Sequence, residues 1–189
     1  MAKTLSYMPA LGTPAPGFNL PDFNGKYYSL NDFEESPALL VVFMCCHCPY
    51  VKHVIEGFVA MAREYQAKGA AVVAINANDI KNYPEDRPEK MAEDAKNHGY
   101  TFPYLFDETQ EVARAYKAVC TPDFFLFNKE RRLVYRGQMD DSRPENNNPV
   151  TGKDMREAMD AVLGNREVTD NQKPSLGCNI KWKPGNEPD

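Results

Sequence analysis

The chain has 189 residues, 42% of them hydrophobic and 26% charged, with a formal net charge of -5. That balance belongs to a globular protein with one full core rather than to a disordered chain, and the length is short for two domains. No block of like charges stands out, which argues against nucleic acid or an anionic membrane surface as the main partner, since both reward clustered Lys and Arg.

Residues Met1–Pro9 carry one basic residue, Lys3, and no apolar run, so neither a signal-peptide core nor a membrane anchor is expected there. The longest apolar stretch, Pro37 to Cys46, is too short to span a bilayer. A cytoplasmic location is therefore expected, in a compartment that keeps thiols reduced. Five cysteines in such a chain do not read as a disulfide framework, and an odd number leaves at least one unpaired within a monomer. Three of them, Cys45, Cys46 and Cys48, fall within four residues, a clustering that suits redox chemistry or metal binding rather than stapling.

Residues 9–25 are rich in Pro, Gly and Asn and read as extended chain with turns; Asn24-Gly25, between Phe23 and Tyr27-Tyr28, has the chemistry of a tight hairpin. Ala38–Met44 is a continuous apolar run, as expected of a strand buried on both faces. Pro49 falls where a helix would begin, and Val51, Val54, Ile55, Phe58 and Met61 follow at helical spacing until Gly69. Ala70–Ile75 is a second buried strand, so that strand, helix and strand form one right-handed crossover of a parallel sheet. Helices are predicted over Pro88–His98, with Gly99 as C-cap, and over Glu108–Val119, with a short strand at Tyr104–Phe106 between them. Asp123–Phe127 and Arg132–Arg136 read as a hairpin joined by Asn128-Lys129-Glu130, and Asp154–Leu163 as the last helix. This divides the chain into a domain over 1–164 and an extension over 165–189. The extension is polar and Pro-rich yet contains Leu176, Cys178, Ile180 and Trp182, so part of it is expected to fold back onto the body, near the active site.

The strongest chemical signal is the strand ending at Met44, followed by Cys45-Cys46-His47-Cys48-Pro49 and a helix. A thiol at a helix N-terminus faces unsatisfied N–H groups and the positive end of the helix dipole, and both favour the nucleophilic thiolate. The two-residue spacer lets a mixed disulfide formed at Cys45 be resolved from Cys48. By this geometry Cys45 is expected to be the exposed attacker and Cys48 the more buried resolver. His47 reads either as a donor that stabilises the thiolate, which makes the disulfide a stronger oxidant, or as a solvated loop imidazole. No Gly-rich phosphate loop occurs in the chain, so no organic cofactor is expected.

The order of elements, the CxxC at the first strand–helix junction and Thr121-Pro122 before a later strand resemble the thioredoxin superfamily. More closely, the chain resembles its peroxiredoxin-like branch, labelled alkyl hydroperoxide reductase or thiol-specific antioxidant. The segments that carry this are Gly12–Phe18 with Leu20 and Gly25-Lys26, Met44–Val51, Tyr83–Asp86, Cys120–Asp123 and Gly177–Lys183. The resemblance covers essentially the whole chain and implies an α/β thioredoxin-like fold, a central mixed sheet flanked by helices with an N-terminal hairpin. It further implies that Pro122 is cis, packs against the cysteine pair and, with Thr121, helps bind substrate.

Peroxiredoxins place Thr or Ser three residues before the peroxidatic cysteine and Pro seven before it. Counted from Cys48 these positions hold Cys45 and Val41; counted from Cys45 they hold Val42 and Ala38. The family's Arg is replaced by Pro122, leaving Arg136 or Arg143 as substitutes or as plain surface arginines. Thiol–disulfide exchange with protein or small-molecule thiols and disulfides therefore ranks first, with a thioredoxin or glutathione system as recycler, and reduction of peroxides ranks second. Cys120 and Cys178 read as auxiliary relay thiols or as a core filler and a free thiol. A different class, a metal-binding or redox-sensing domain, would complete half a zinc site at Cys45 and Cys48 with His47, His53, Cys120 or Cys178. A zinc CxxC usually sits on a knuckle between short strands, so no metal is assigned.

Overall fold

An unbroken apolar strand needs cover on both faces, and Leu39–Phe43 is the strand around which the fold is built. In the computed structural model, which describes residues 3–188, it follows three short strands, β1 (Lys3–Leu5), β2 (Asn19–Pro21) and β3 (Tyr27–Ser29), and is therefore β4. On one side β4 pairs in parallel with β5 (Ala71–Asn76), itself parallel to β6 (Tyr104–Phe106). On the other it pairs antiparallel with β8 (Asp123–Phe127), which continues into a hairpin with β9 (Leu133–Gly137). The result is the expected mixed sheet, with order β6-β5-β4-β8-β9.

Alternation along β4 divides the core. Leu40 and Val42 pack with the buried faces of α1 (Pro49–Ala67), α2 (Pro88–His98) and α4 (Lys153–Leu163), through Phe58, Met91 and Met155 among others. Leu39, Val41 and Phe43 face the other side, against Phe125, Phe127, Tyr116 of α3 (Glu111–Tyr116), and Phe18 and Leu20 beside the β2–β3 hairpin. Gly25 lies in that hairpin's turn at φ 82, a conformation that favours glycine.

The helix predicted over Glu108–Val119 is shorter, Glu111–Tyr116, because its flanks do other work. Gln110 sits at φ 66 with its side-chain amide buried, donating to the carbonyls of Ala77 and Lys181. Asp107 accepts from the Ala113 N–H, and Lys117 at φ 55 ends the helix.

The extension does fold back. β10 (Leu176–Asn179) inserts between β1 and β7 (Cys120–Thr121), antiparallel to both, in a second sheet of order β1-β10-β7. Strand β1 is not expected from the sequence, because its only partner lies at the far end of the chain, Lys3 opposite Cys178. Met1, Ala2 and Asp189 lie outside the described residues. Among the described residues no helix is long and apolar enough to cross a membrane.

Gly177 shows how tightly β10 is seated: a Cβ there would stand 2.0 Å from the Thr121 carbonyl oxygen. Backbone cannot yield as a side chain does, so Gly177→Ala should cost about 2–3 kcal/mol or displace β10. Denaturant unfolding, with hydrogen exchange at 176–179, measures this; wild-type values on both would show that the strand is loosely held.

Candidate active site

The cysteine turn is the product of two stops. The β4 ladder ends with the Met44 N–H on the Ile75 carbonyl at 3.0 Å, and α1 begins at Pro49, whose missing N–H suits the first helical position. Cys45, Cys46 and His47 belong to neither ladder, and Cys48 takes the N-cap position with extended backbone. Buried amide groups outside a ladder need partners. Here the Cys46 and His47 N–H groups donate to one carboxylate oxygen, Asp86 Oδ1, at 2.8 and 3.2 Å.

Asp86 is fully buried, in a single turn of 3-10 helix over Pro84–Asp86. Its other oxygen accepts from Asn78 Nδ2 at 2.8 Å and from His47 Nδ1 at 2.5 Å. Burial alone would raise this acid, but the hydrogen bonds from His47 and Asn78 hold it below the ordinary carboxylate value. The same bond raises His47 against its own partial burial, favouring the protonated ring. The ring stacks on Tyr83, centroids 5.7 Å apart and planes within 10°, and Nδ1 lies 3.9 Å from Cys45 Sγ. His47 is thus a fixed neighbour of the pair, held by Asp86 and Tyr83, and not a solvated loop imidazole.

The expectation that Cys45 is the exposed member is corrected: Cys45 is 1% and Cys48 0% exposed. Thr121 closes over both, its hydroxyl 3.6 Å from Cys45 Sγ and its carbonyl accepting the Cys48 thiol at 3.2 Å. The Thr121–Pro122 bond is cis, as the family resemblance implies. Of the pair, Cys48 is the more acidic: the neighbouring Cys45, Thr121 and Cys178 favour its charged form and hold it well below an ordinary thiol despite burial. Cys45 is pushed well up by burial, by its donation to Cys48 and by the Asp86 charge.

The structure therefore brings together Cys45, Cys48, His47, Thr121, Pro122 and Cys178. Cys120 is buried with its thiol pushed up, its contact being the Pro122 carbonyl at 3.9 Å, so it stands as a core thiol. His53 points elsewhere, to Ser142 Oγ at 2.7 Å. Cys45, His47 and Asp86 do converge, with ligand-type atoms within 4.8 Å. Yet the 2.5 Å between His47 and Asp86 is a hydrogen bond; ligands about 2.0–2.3 Å from a tetrahedral zinc stand more than about 3 Å apart. Arg136 is spent on the Pro9 carbonyl and Gln172, and Arg143 on Gln138 and the carbonyls of Asp140 and Ser142.

Asp86, Asn78 and Tyr83 carry the site without being singled out by the sequence. Their one signal is a polar, Pro-containing stretch after β5, which the family resemblance covers at Tyr83–Asp86 and to which it gives no role.

The His47–Asp86 pair has a defined pH window. A raised imidazole contributes stability that is complete below its ordinary 6.5 and is lost as pH rises through the folded value. A lowered carboxyl contributes above its ordinary 3.8 and loses this as pH falls through its folded value. The stability difference between wild type and Asp86→Asn should therefore be largest from about pH 4 to 6.5 and narrow on both sides. Denaturant titrations across pH check this, and a pH-independent difference would reduce Asp86 to a packing residue. In the variant, the His47 ring resonance should titrate at lower pH.

The chain is similar to several known proteins. The chain is 27% identical over 123 residues to the thiol-disulfide oxidoreductase ResA of Bacillus subtilis (strain 168), a match spanning 65% of this chain and 64% of ResA. A conserved protein of Geobacillus kaustophilus, known from a crystal structure, is 52% identical with a TM-score of 0.96, covering 98% of both chains. The thioredoxin domain of thiol-disulfide oxidoreductase BVU-2223 from Bacteroides vulgatus shares the fold at 19% identity, with a TM-score of 0.59 over 78% of this chain and 97% of that one. The fold is thus thioredoxin-like. The AhpC/TSA family model matches residues 11–136, well over half of the chain, and the protein belongs to the AhpC/TSA family.

Proposed function

We propose that this protein is a thiol–disulfide oxidoreductase whose redox centre is Cys45 and Cys48. The observation that carries the reading is the placement of the pair, with Cys48 at the N-cap of α1, the Thr121 hydroxyl 3.6 Å from Cys45 Sγ, the Thr121 carbonyl 3.2 Å from Cys48 Sγ and His47 Nδ1 3.9 Å from Cys45 Sγ. Such a site stabilises one thiolate of a dithiol, and a stabilised reduced form makes the corresponding disulfide a better oxidant.

The disulfide opens in one preferred sense. A partner thiolate attacks Cys45 Sγ, the electron pair of the S–S bond passes to Cys48, and Cys48 departs as the stabilised thiolate; a low-pKa thiol leaves faster. A second partner thiolate then attacks the partner sulfur of the mixed disulfide, giving a partner disulfide and Cys45, which takes up a proton. Run backwards, Cys45 forms the mixed disulfide and Cys48 resolves it. The partner approaches over exposed Pro49 and half-buried Cys46 and His47. Substrates are protein or small-molecule thiols and disulfides, with a thioredoxin or glutathione system as recycler in the reducing setting of the cytoplasm.

The thiolate on Cys48 also favours a second reading, a thiol-dependent peroxidase. It ranks behind because Arg136 and Arg143, the donors available for a peroxide oxygen, are committed elsewhere.

The test is a glutathione redox titration with the oxidised cysteines mapped by mass spectrometry. A reversible Cys45–Cys48 disulfide is expected. Cys45→Ser should reduce exchange to background, Cys46→Ser should leave it unchanged, and His47→Ala should make the potential more negative by on the order of 30 mV. Sulfenic acid at Cys48 with rapid peroxide consumption would put the peroxidase first, and exchange that survives Cys45→Ser would remove Cys45 from the mechanism.

A further inference from the structure

One buried nucleophile is not used by the Cys45–Cys48 cycle. Cys178 stands on β10, paired with Lys3 of β1 on one side and Thr121 of β7 on the other, and is 4% exposed. Its side chain enters the same core as Cys45 and Cys48, and the neighbouring Cys48 is among the groups that push its thiol up. Thr121, its cross-strand partner, is also the residue whose carbonyl accepts from Cys48 at 3.2 Å. The close approach of Gly177 to the Thr121 carbonyl sets the depth at which Cys178 is held. Cys48 is thus flanked by two thiols, one from its own turn and one from the extension.

We propose that Cys178 is a relay thiol that moves the disulfide from Cys45–Cys48 to an inner Cys48–Cys178 pair. This rests on the Cys45–Cys48 cycle proposed above. In the step, Cys178 sulfur attacks Cys48 Sγ, the Cys45–Cys48 bond breaks, and its electron pair goes to Cys45. The proton of the Cys178 thiol ends on Cys45. No electrons enter or leave: one disulfide and one thiol become one disulfide and one thiol. Burial favours the neutral thiol at both Cys178 and Cys45, so the proton passes from one buried sulfur to another and no buried thiolate is left behind. The oxidised protein then divides between an outer disulfide that a partner opens at Cys45 and an inner one beyond a partner's reach.

Peptide mapping of the full chain tests this. Cleavage after Lys and Arg places Cys45, Cys46 and Cys48 on residues 27–52 and Cys178 on a second peptide ending at Lys181. In glutathione buffers of rising potential, wild type should give both the internal disulfide of 27–52 and a linked mass of the two peptides. Cys45→Ser oxidised with diamide should give the linked mass as its main product, Cys46→Ser should keep it, and Cys48→Ser should reduce it to background. An internal disulfide in wild type with no linked mass in wild type or Cys45→Ser overturns the relay and leaves the Cys45–Cys48 cycle standing. Absence of both species in wild type overturns that cycle, and the relay with it. A linked mass that survives Cys48→Ser also overturns the relay, because Cys178 then pairs with a different thiol.

Discussion

The redox turn depends on one buried carboxylate. Between the end of β4 and Pro49 the backbone has left the sheet and not yet entered the helix, so its N–H groups have no ladder partner. Asp86 supplies it, receiving Cys46, His47 and Asn78 together. A buried charge of this kind is tolerated because its oxygens are filled by donors, each charge-assisted bond contributing about 1.5–3 kcal/mol. The carboxylate does two jobs with one set of bonds: it fixes the shape of the turn and holds the His47 ring beside the sulfurs, favouring its protonated form. Asn76 and Asn78, at the end of β5 and just beyond, lock the Asp86 segment in turn. The position of the cysteines is therefore tied to the neighbouring strand as well as to their own.

The electrostatics of the sulfurs follow from sharing one charge among groups that are all poorly solvated. Burial penalises every thiolate. A thiolate persists only where donors converge, and they converge on Cys48. Cys45 is among those donors, so the two sulfurs are complementary: what lowers one raises the other. Placing Cys48 at the N-cap of α1 puts the same residue at the positive end of the helix. Polarity within the pair is thus set by chain direction, since the helix begins at the second cysteine.

Much of this architecture is legible in the sequence because it is local. The apolar run of β4, the Pro49 start, the helical spacing from Val51 onward and the Pro88–His98 helix each carry their own signal, and the structure places them within a residue or two of expectation. What is not legible is held by distant partners. Strand β1 exists because β10 pairs with it. The ends of α3 are decided by Gln110 reaching Ala77 and Lys181. Asp86 is an ordinary acidic residue until the fold brings it under a turn about forty residues earlier. The burial of Cys45 has the same origin: a CxxC at a strand–helix junction specifies its own backbone, but the cover comes from Thr121, which no local pattern positions.

Five thiols in one small domain raise the question of which reacts, and burial does not decide it. Four of the five are buried, and the half-buried one, Cys46, is still pushed up to about 12 by desolvation and the Asp94 charge. Cys46 meets the Tyr104 hydroxyl at 3.8 Å, and Cys120 meets the Pro122 carbonyl at 3.9 Å. Only Cys48 is held below an ordinary thiol, by neighbours that come from its own turn, from β7 and from β10. These neighbours thus mark Cys48 as the sulfur that best carries the negative charge. Two of them, Thr121 on β7 and Cys178 on β10, face each other across one strand pair, so the pairing of β10 with β7 bears on the chemistry at the start of α1.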